Sequence, residues 1–422
     1  MKKIKVAFFA DILVEDFDGA VRTIYQLIKR IDTQKFEYLF IYGAGPDKIL
    51  AFDGIRVPKV SVPLNASYSV ALPVLAQKKL NAKLQAFGAD IVHLSTPSFL
   101  GNFGLSYANR NGLPVISIYH THFISYVDYY FKYAPILING VKKRITKGHK
   151  SFYNRCDKVY VPSESIKGEL CDMGIEPARM KIWKRGMDIR LFSPYKRGRN
   201  LIKRLTGNSN PTIIFASRLV WEKNLETLFN IYDLIQERGT PVNFLIVGDG
   251  IARQACQERM PKAAFTGKID HAYLSILYAS ADVFLFPSVS ETYGNVVVEA
   301  MASGLPCVIA DGGGSKDFIE QGINGFKCSP YDAADYVEKI ELILNNKIIS
   351  IQLSAEGLKI SRQLSWEQLA HTYFNDVSNL VFKRSEGQQS PSSHEPYQGN
   401  NSIILEMGNG TKPGGYAPHA IA

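Results

Sequence analysis

Short continuous apolar runs alternate along the chain with longer segments whose apolar positions recur at helical spacing, the pattern of parallel sheets with crossover helices. The run 4–10 predicts a first strand, and Val21, Ile24, Leu27, Ile28 and Ile31 then fall on one face of a helix. Further strands are predicted at 37–42, 90–94, 114–119 and 158–161, with helices around 74–87, 99–110, 139–155 and 164–173, the last stopped by Gly174. A second passage of the same rhythm predicts strands at 212–216, 242–247, 282–286 and 306–309 and helices near 224–237, 271–279, 295–303, 331–345 and 366–383. Between the passages, 192–211 is rich in Pro, Gly, Asn, Arg and Lys and lacks an apolar period. The expected organisation is therefore α/β: an N-terminal Rossmann-like domain over 1–191, a linker over 192–211 and a C-terminal Rossmann-like domain over 212–365. A helix over 366–384 is expected to cross back to the first domain, followed by a disordered tail over 385–422.

Length and composition narrow the class without choosing the chemistry. The 422 residues suit two or three domains, and 46% hydrophobic with 21% charged residues and a mean hydropathy of −0.07 describe an ordinary globular chain. The five cysteines are scattered and never form a C-x-x-C pair, which argues against a disulfide framework or zinc ribbon and for a reducing, cytoplasmic compartment. No stretch reaches the roughly 18 apolar residues of a membrane helix. The basic start is followed within a few residues by Asp11, Glu15, Asp16 and Asp18, so it reads as a strand rather than a signal peptide. Charge is lopsided: residues 1–199 hold 31 Lys and Arg against 16 Asp and Glu, and the remainder holds 18 against 23. The first half thus seeks an anionic partner, whether nucleic acid, a membrane surface or a phosphorylated small molecule.

In open parallel sheets ligands bind beyond the carboxyl ends of the strands, which directs attention to five places. Gly19 follows the first strand and opens a helix whose N–H groups can approach a phosphate, although a glycine there can equally serve a turn. His120 and His122 follow the strand PVISIY; a histidine hydrogen-bonding a substrate hydroxyl fits that position better than a two-residue metal pair. Arg218 and Lys223 follow the strand TIIFA, where a planar fork and a compact ammonium can neutralise a diphosphate or merely lie solvated. Gly248-Asp249-Gly250 lacks the third glycine of a dinucleotide fingerprint, since Arg253 stands there, and argues for a tight turn. The richest segment is PSVSETYGNVVVEAMASGLPCVIADGGG. It puts Glu291 on a loop and Glu299 inside the next helix, with Thr292, Tyr293, Gly294 and Asn295 at the helix entry, suited to a diphosphate. Glu299 lies among Val296, Val297, Val298 and Ala300, so its carboxylate needs a partner.

The Glu291-x7-Glu299 pair, the preceding FPS, SRLVWEKN and GMDIRLFSP together resemble the retaining glycosyltransferases of family 4, of GT-B fold, over nearly all of residues 1–383. The stretch YHTHFISYVDYY is similar to the branch of GDP-mannose-dependent α-mannosyltransferases and of enzymes that glycosylate diacylglycerol lipids. The resemblance implies two Rossmann-like parallel-sheet domains facing a central cleft. It implies that Arg218 and Lys223 bind the donor diphosphate, that Glu299 binds the ribose and that Glu291 holds the hexose. By the same resemblance Tyr293, Gly294, Asn295 and Gly19 are expected as further donor contacts, His120 at the catalytic centre, and Asp18, His122 and Tyr126 as acceptor-side candidates. Asp18-Gly19 replaces the usual Gly-Gly, and His122 stands where the branch often carries Asp or Asn. The donor that the resemblance implies is a GDP- or UDP-hexose acting as substrate, and no cofactor is expected. With no D-x-D beside the donor segment and no carboxylate pair spaced for acid and nucleophile, the expectation is metal-independent, same-face transfer. A basic and aromatic segment over 132–150 suggests peripheral attachment to the inner face of an anionic membrane and a lipid or lipid-linked acceptor. A soluble sugar or polysaccharide acceptor is the alternative. A pyridoxal-phosphate phosphorylase, a nicotinamide dehydrogenase and a basic nucleic-acid-binding protein explain less, and nucleic acid is not an expected partner.

Overall fold

The computed structural model describes residues 2–15, 17–62, 65–120 and 135–389. The first half begins with β1 (Ile4–Ile12), α1 (Gly19–Ile28), β2 (Phe36–Ala44), the short β3 (Lys48–Ile49) and β4 (Phe52–Arg56), and the hairpin of β5 (Lys59–Val62) with β6 (Asn65–Ala71). It continues through α2 (Gln77–Phe87), β7 (Ile91–Leu94), α3 (Phe99–Arg110), β8 (Val115–Ile118), α4 (Pro135–Tyr153), β9 (Lys158–Val161), α5 (Glu164–Asp172) and β10 (Met180–Ile182). Its sheet has the order β10-β9-β8-β7-β1-β2-β4-β3, parallel except for the β3–β4 pair.

The second half holds α6 (Arg199–Thr206), β11 (Thr212–Ala216), α7 (Leu225–Glu237), β12 (Asn243–Val247), α8 (Arg253–Arg259), β13 (Ala264–Gly267) and α9 (His271–Ser280). After these come β14 (Val283–Phe286), α10 (Asn295–Ala302), β15 (Cys307–Ala310), β16 (Phe326–Cys328), α11 (Ala333–Asn345), α12 (Lys347–Arg362) and α13 (Trp366–Gln389). Its sheet is wholly parallel, in the order β13-β12-β11-β14-β15-β16. Runs such as TIIFA and VFLF are apolar on both sides because helices cover both faces of such a sheet, and every residue in them is buried. Side-chain caps start the helices where the sequence offers them: Asp18 accepts from Val21 N, Ser98 from Gly101 N, Ser163 from Ile166 N and Asp270 from Tyr273 N.

The structure departs from the expected elements in four places. The stretch 192–211, expected as an irregular linker, carries α6, whose Ile202 is buried against the second core with Leu201 and Leu205 beside it. Gly198 N donates to Ser280 Oγ at 2.8 Å and Lys196 Nζ to Ser275 Oγ at 3.1 Å, so this stretch is fastened to α9. The helix α12 was not expected; Asn346 caps it by accepting from Ile348 N and Ile349 N, and Leu353 and Gly357 seat it against α10. The edge strands β3, β10, β13 and β16, the adjoining β4 and the β5–β6 hairpin were not expected either, because none of them is a continuous apolar run. Finally, α13 continues to Gln389 rather than yielding to a tail at 385, because a polar composition does not by itself break a helix before Pro391; residues 390–422 lie outside the described residues.

Although it follows the second domain in sequence, α13 packs on the first sheet. Trp366, Ala370, Tyr373 and Val377 share a core with Val6, Phe8, Tyr38, Ile91, Tyr160 and Trp183.

Candidate active site

The carboxyl ends of the two sheets face each other, and residues that open helices there meet across the gap. A Cβ built on Gly19, at the start of α1, would stand 2.9 Å from Asn295 Nδ2 at the start of α10 and 3.3 Å from Arg185 NH1. The Tyr293 hydroxyl donates to the Arg185 carbonyl at 2.8 Å. Ser165, in the first turn of α5, donates from its N–H at 2.9 Å and from its hydroxyl to the Asp317 carboxylate of the other half.

On the second domain, the 3-10 turn Trp221–Lys223 presents Lys223, which is buried and donates to Glu291 Oε1. The turn is held by Asn224, in the left-handed region at φ 55°, whose Nδ2 donates to the carbonyls of Pro287 at 3.0 Å and Pro330 at 2.8 Å. Ser288 Oγ also donates to Glu291 Oε1, at 3.3 Å. Burial alone would raise the Glu291 carboxyl, but Lys223, assisted by Arg218 and Ser288, outweighs it and holds the group below the ordinary carboxylate value. Arg218 is half exposed and donates to the buried Glu222 carboxylate at 3.1 Å. Gly294 caps α10 at φ 83°, pressed against Ser315 so closely that a Cβ would come within 2.5 Å of the Ser315 Cβ. The α10 N–H groups therefore open into the cleft without a capping side chain of their own.

Glu299 lies one turn inside α10 and is buried. Its Oε2 has no hydrogen-bond partner among the described residues, and its Oε1 is 3.9 Å from His271 Nε2. Burial pushes its carboxyl up to about 7, opposed by Arg22. Arg22, on α1 of the first domain, reaches across to touch the His271 ring.

On the first domain, His120 is buried just after β8, and neither ring nitrogen has a partner among the described residues. Burial, then the charge of Arg185, drives its pKa well below the ordinary value, so the imidazole is neutral. Asp18, expected on the acceptor side, is engaged as the α1 cap, accepting from Val21 N at 2.9 Å. His122 and Tyr126 lie outside the described residues. Of the residues singled out from the sequence, the fold brings Gly19, His120, Arg218, Lys223, Glu291, Tyr293, Gly294, Asn295 and Glu299 to one cleft. The sequence did not single out Arg185, Arg22 or His271. Arg185 directly precedes the GMDIRLFSP segment, a position next to a motif but without a pattern of its own.

The α4 helix carries Lys143, Arg144, Lys147 and Lys150 exposed, with Lys142 half-buried. Its His149 and Tyr153 pack on Tyr119, at the carboxyl end of β8, so the turns before His149 approach the first sheet from beyond its carboxyl edge. Among the described residues no helix is long and apolar enough to cross a membrane.

Residues 17–191 match the family model described as Glycosyltransferase Family 4, and residues 210–346 the one described as Glycosyl transferases group 1. A GDP-mannose-dependent alpha-mannosyltransferase of Mycobacterium tuberculosis is 30% identical over 323 residues, covering 75% of this chain and 81% of that protein. An alpha-monoglucosyldiacylglycerol synthase of Streptococcus pneumoniae is 26% identical over 332 residues, covering 73% and 71%. The solved structure of sucrose-phosphate synthase from Thermosynechococcus elongatus matches with a TM-score of 0.71 at 21% identity, over 90% of this chain and 100% of that one. The last likeness establishes the fold, two Rossmann-like domains facing a cleft, which is GT-B. With each half matched by its own family model and a relative sharing nearly a third of its residues over most of both lengths, the chain belongs to the family 4 glycosyltransferases.

Proposed function

We propose that this glycosyltransferase moves a hexose, with retention, from a GDP- or UDP-hexose to a lipid or lipid-linked acceptor at an anionic membrane surface. The observation that carries the donor side is the pairing of buried Lys223 with Glu291, beside half-exposed Arg218 and the uncapped start of α10. Arg218, Lys223 and the α10 dipole take the charge that develops on the departing diphosphate, which makes a divalent cation unnecessary for that step. Glu291, ionised beside Lys223, is unsuited to donate a proton and instead accepts hydrogen bonds from the hexose hydroxyls. Glu299 accepts from the ribose, and neutral His120 faces the sugar from the opposite domain. Tyr293, Gly294 and Asn295 at the α10 entry and Gly19 at the α1 entry complete the donor contacts. The acceptor hydroxyl attacks from the face the leaving group vacates, and a phosphate oxygen of that group receives its proton. The lipid acceptor rests on the exposed basic row of α4 beyond the sheet edge and on similarity to relatives named for GDP-mannose and for diacylglycerol.

A screen of nucleotide sugars for GDP or UDP release, run with EDTA and with anionic or neutral vesicles, tests the reading. Release from one donor, undiminished by EDTA, and co-sedimentation with anionic vesicles that salt or Lys142, Lys143 and Arg144→Gln weakens, are the expected results. Equal recovery with both vesicle types would instead favour a soluble sugar acceptor.

A further inference from the structure

Arg185 is 8% exposed, just beyond β10, at the centre of the cleft. Among the described residues its guanidinium meets the His120 carbonyl at 3.4 Å and lies over the Tyr293 ring, 5.2 Å from the centroid, and it forms no ion pair. The carboxylates that act on it are Asp18 and Glu291. Both are otherwise engaged, Asp18 in capping α1 and Glu291 with Lys223. A buried cation with five donors and no carboxylate in contact with it among the described residues is costly unless an anion joins it. The surroundings fit an anion. Arg185 NH1 and Asn295 Nδ2 converge on the side-chain-free face of Gly19, where the ten-residue α1 begins with its dipole pointing into the cleft.

We propose that Arg185 is the first domain's anion receptor, binding a phosphate oxyanion at the start of α1, on the opposite wall from Arg218 and Lys223. It rests on the reading of this cleft as the donor site. The phosphate has two sources: the sugar-side phosphate of the donor, or a phosphate carried by the acceptor. The oxyanion accepts from the guanidinium fork and from the backbone N–H at Gly19 and so links the two, coupling domain closure to a filled cleft.

Binding of GDP and GMP (or UDP and UMP, whichever base the donor carries) to R185Q, R185K and K223A distinguishes the outcomes, together with acceptor KM on phosphorylated and phosphate-free acceptors. If the donor supplies the phosphate, R185Q loses at least tenfold in diphosphate affinity while monophosphate affinity stays within twofold. If the acceptor supplies it, nucleotide affinities hold and KM rises at least tenfold for the phosphorylated acceptor alone. In either case R185K falls between, because a point charge replaces a fork, and R185Q is at least as heat-stable as the parent without ligand. A purely structural cation–π and carbonyl contact predicts the reverse: a lowered melting temperature with all affinities and KM values within twofold, which overturns the proposal. If R185Q does not fold, R185K decides, and unchanged diphosphate affinity and acceptor KM overturn the proposal. K223A separates this failure from failure of the donor-site reading: if K223A also binds the diphosphate normally, both fall, whereas if only R185Q and R185K are unaffected, the Arg185 assignment alone falls.

Discussion

Lys223 and Glu291 form a largely buried ion pair at the cleft, and the role proposed for them makes it testable. Each neutralises the other in the free protein, so replacing either leaves the partner's charge uncompensated in a largely buried place. Lys223→Ala and Glu291→Ala are each expected to lower turnover 10²–10³-fold, the usual effect of losing a preorganised charge worth about 3–4 kcal/mol, while circular dichroism reports a retained fold. Folded variants with near-parental rates would remove the donor-site assignment. Glu299 makes a different prediction. Its carboxyl is raised to about 7, so the stability linked to its proton is complete below the unfolded value near 4.3 and is lost as pH rises through 7. Glu299→Gln should therefore match the parent near pH 4.5 and exceed it by up to about 3 kcal/mol at pH 8 in ligand-free thermal melts. A difference independent of pH would mean that Glu299 is already ionised and paired.

At the scale of elements, the site is assembled from strand ends and helix starts, and its precision depends on short turns between them. The β11–α7 turn is one, because Asn224 both occupies the left-handed region and ties the turn to the carbonyls of Pro287 and Pro330. Asn224→Ala removes both hydrogen bonds and adds left-handed strain. It is expected to cost about 2–4 kcal/mol in denaturant unfolding and to lower kcat through displacement of Lys223. Full activity in a destabilised Asn224→Ala would show that the turn supports the fold alone. The loop 312–314 works similarly: Gly314 N donates to the Glu291 carbonyl at 2.6 Å, and a Cβ on Gly314 would lie 2.1 Å from the Thr292 carbonyl oxygen. Only glycine allows the two backbones to approach so closely.

For the whole molecule, the decisive feature is that α13 belongs structurally to the first domain. Among the described residues the chain crosses between domains twice, and the crossings lie side by side: Met187 N donates to the Leu364 carbonyl at 2.7 Å, and Trp183 Nε1 to that of Leu369 at 3.0 Å. Asp376 fixes the returning helix, accepting from Lys158 Nζ at 2.9 Å, Lys181 Nζ at 2.7 Å and the Tyr160 hydroxyl at 2.6 Å. Burial would raise this carboxyl, yet these donors outweigh it and hold it below its ordinary value. The stability it confers is present above the unfolded value near 3.9 and is lost as pH falls toward the lower folded value. Asp376→Asn should lower stability by about 3 kcal/mol at pH 7, with the deficit shrinking below pH 4 in urea titrations. A deficit that does not shrink would assign Asp376 a packing role instead.

The strands over 158–161 and 212–216 and the helix over 99–110 were legible to the residue, because parallel strands buried on both faces are continuous apolar runs and their helices carry caps. The residues proposed for the donor lie close together in sequence for a similar reason: Glu291 to Glu299 is a local string, fixed by one loop and one helix turn. The edge strands β3, β10, β13 and β16 were not legible, since none is a continuous apolar run and each exists because a neighbour offers hydrogen bonds. The amphipathic α6 was hidden among turn residues, and α12 depends on the surface of α10 for its seat. Arg22, His271 and Arg185 are far apart in sequence and meet only when the two domains face each other. Local order and the Glu291–Glu299 string were thus determined by the sequence itself, whereas the pairing of Arg22 with His271 and the burial of Arg185 over Tyr293, with no ion pair among the described residues, were decided by tertiary structure, because each depends on contacts between distant segments.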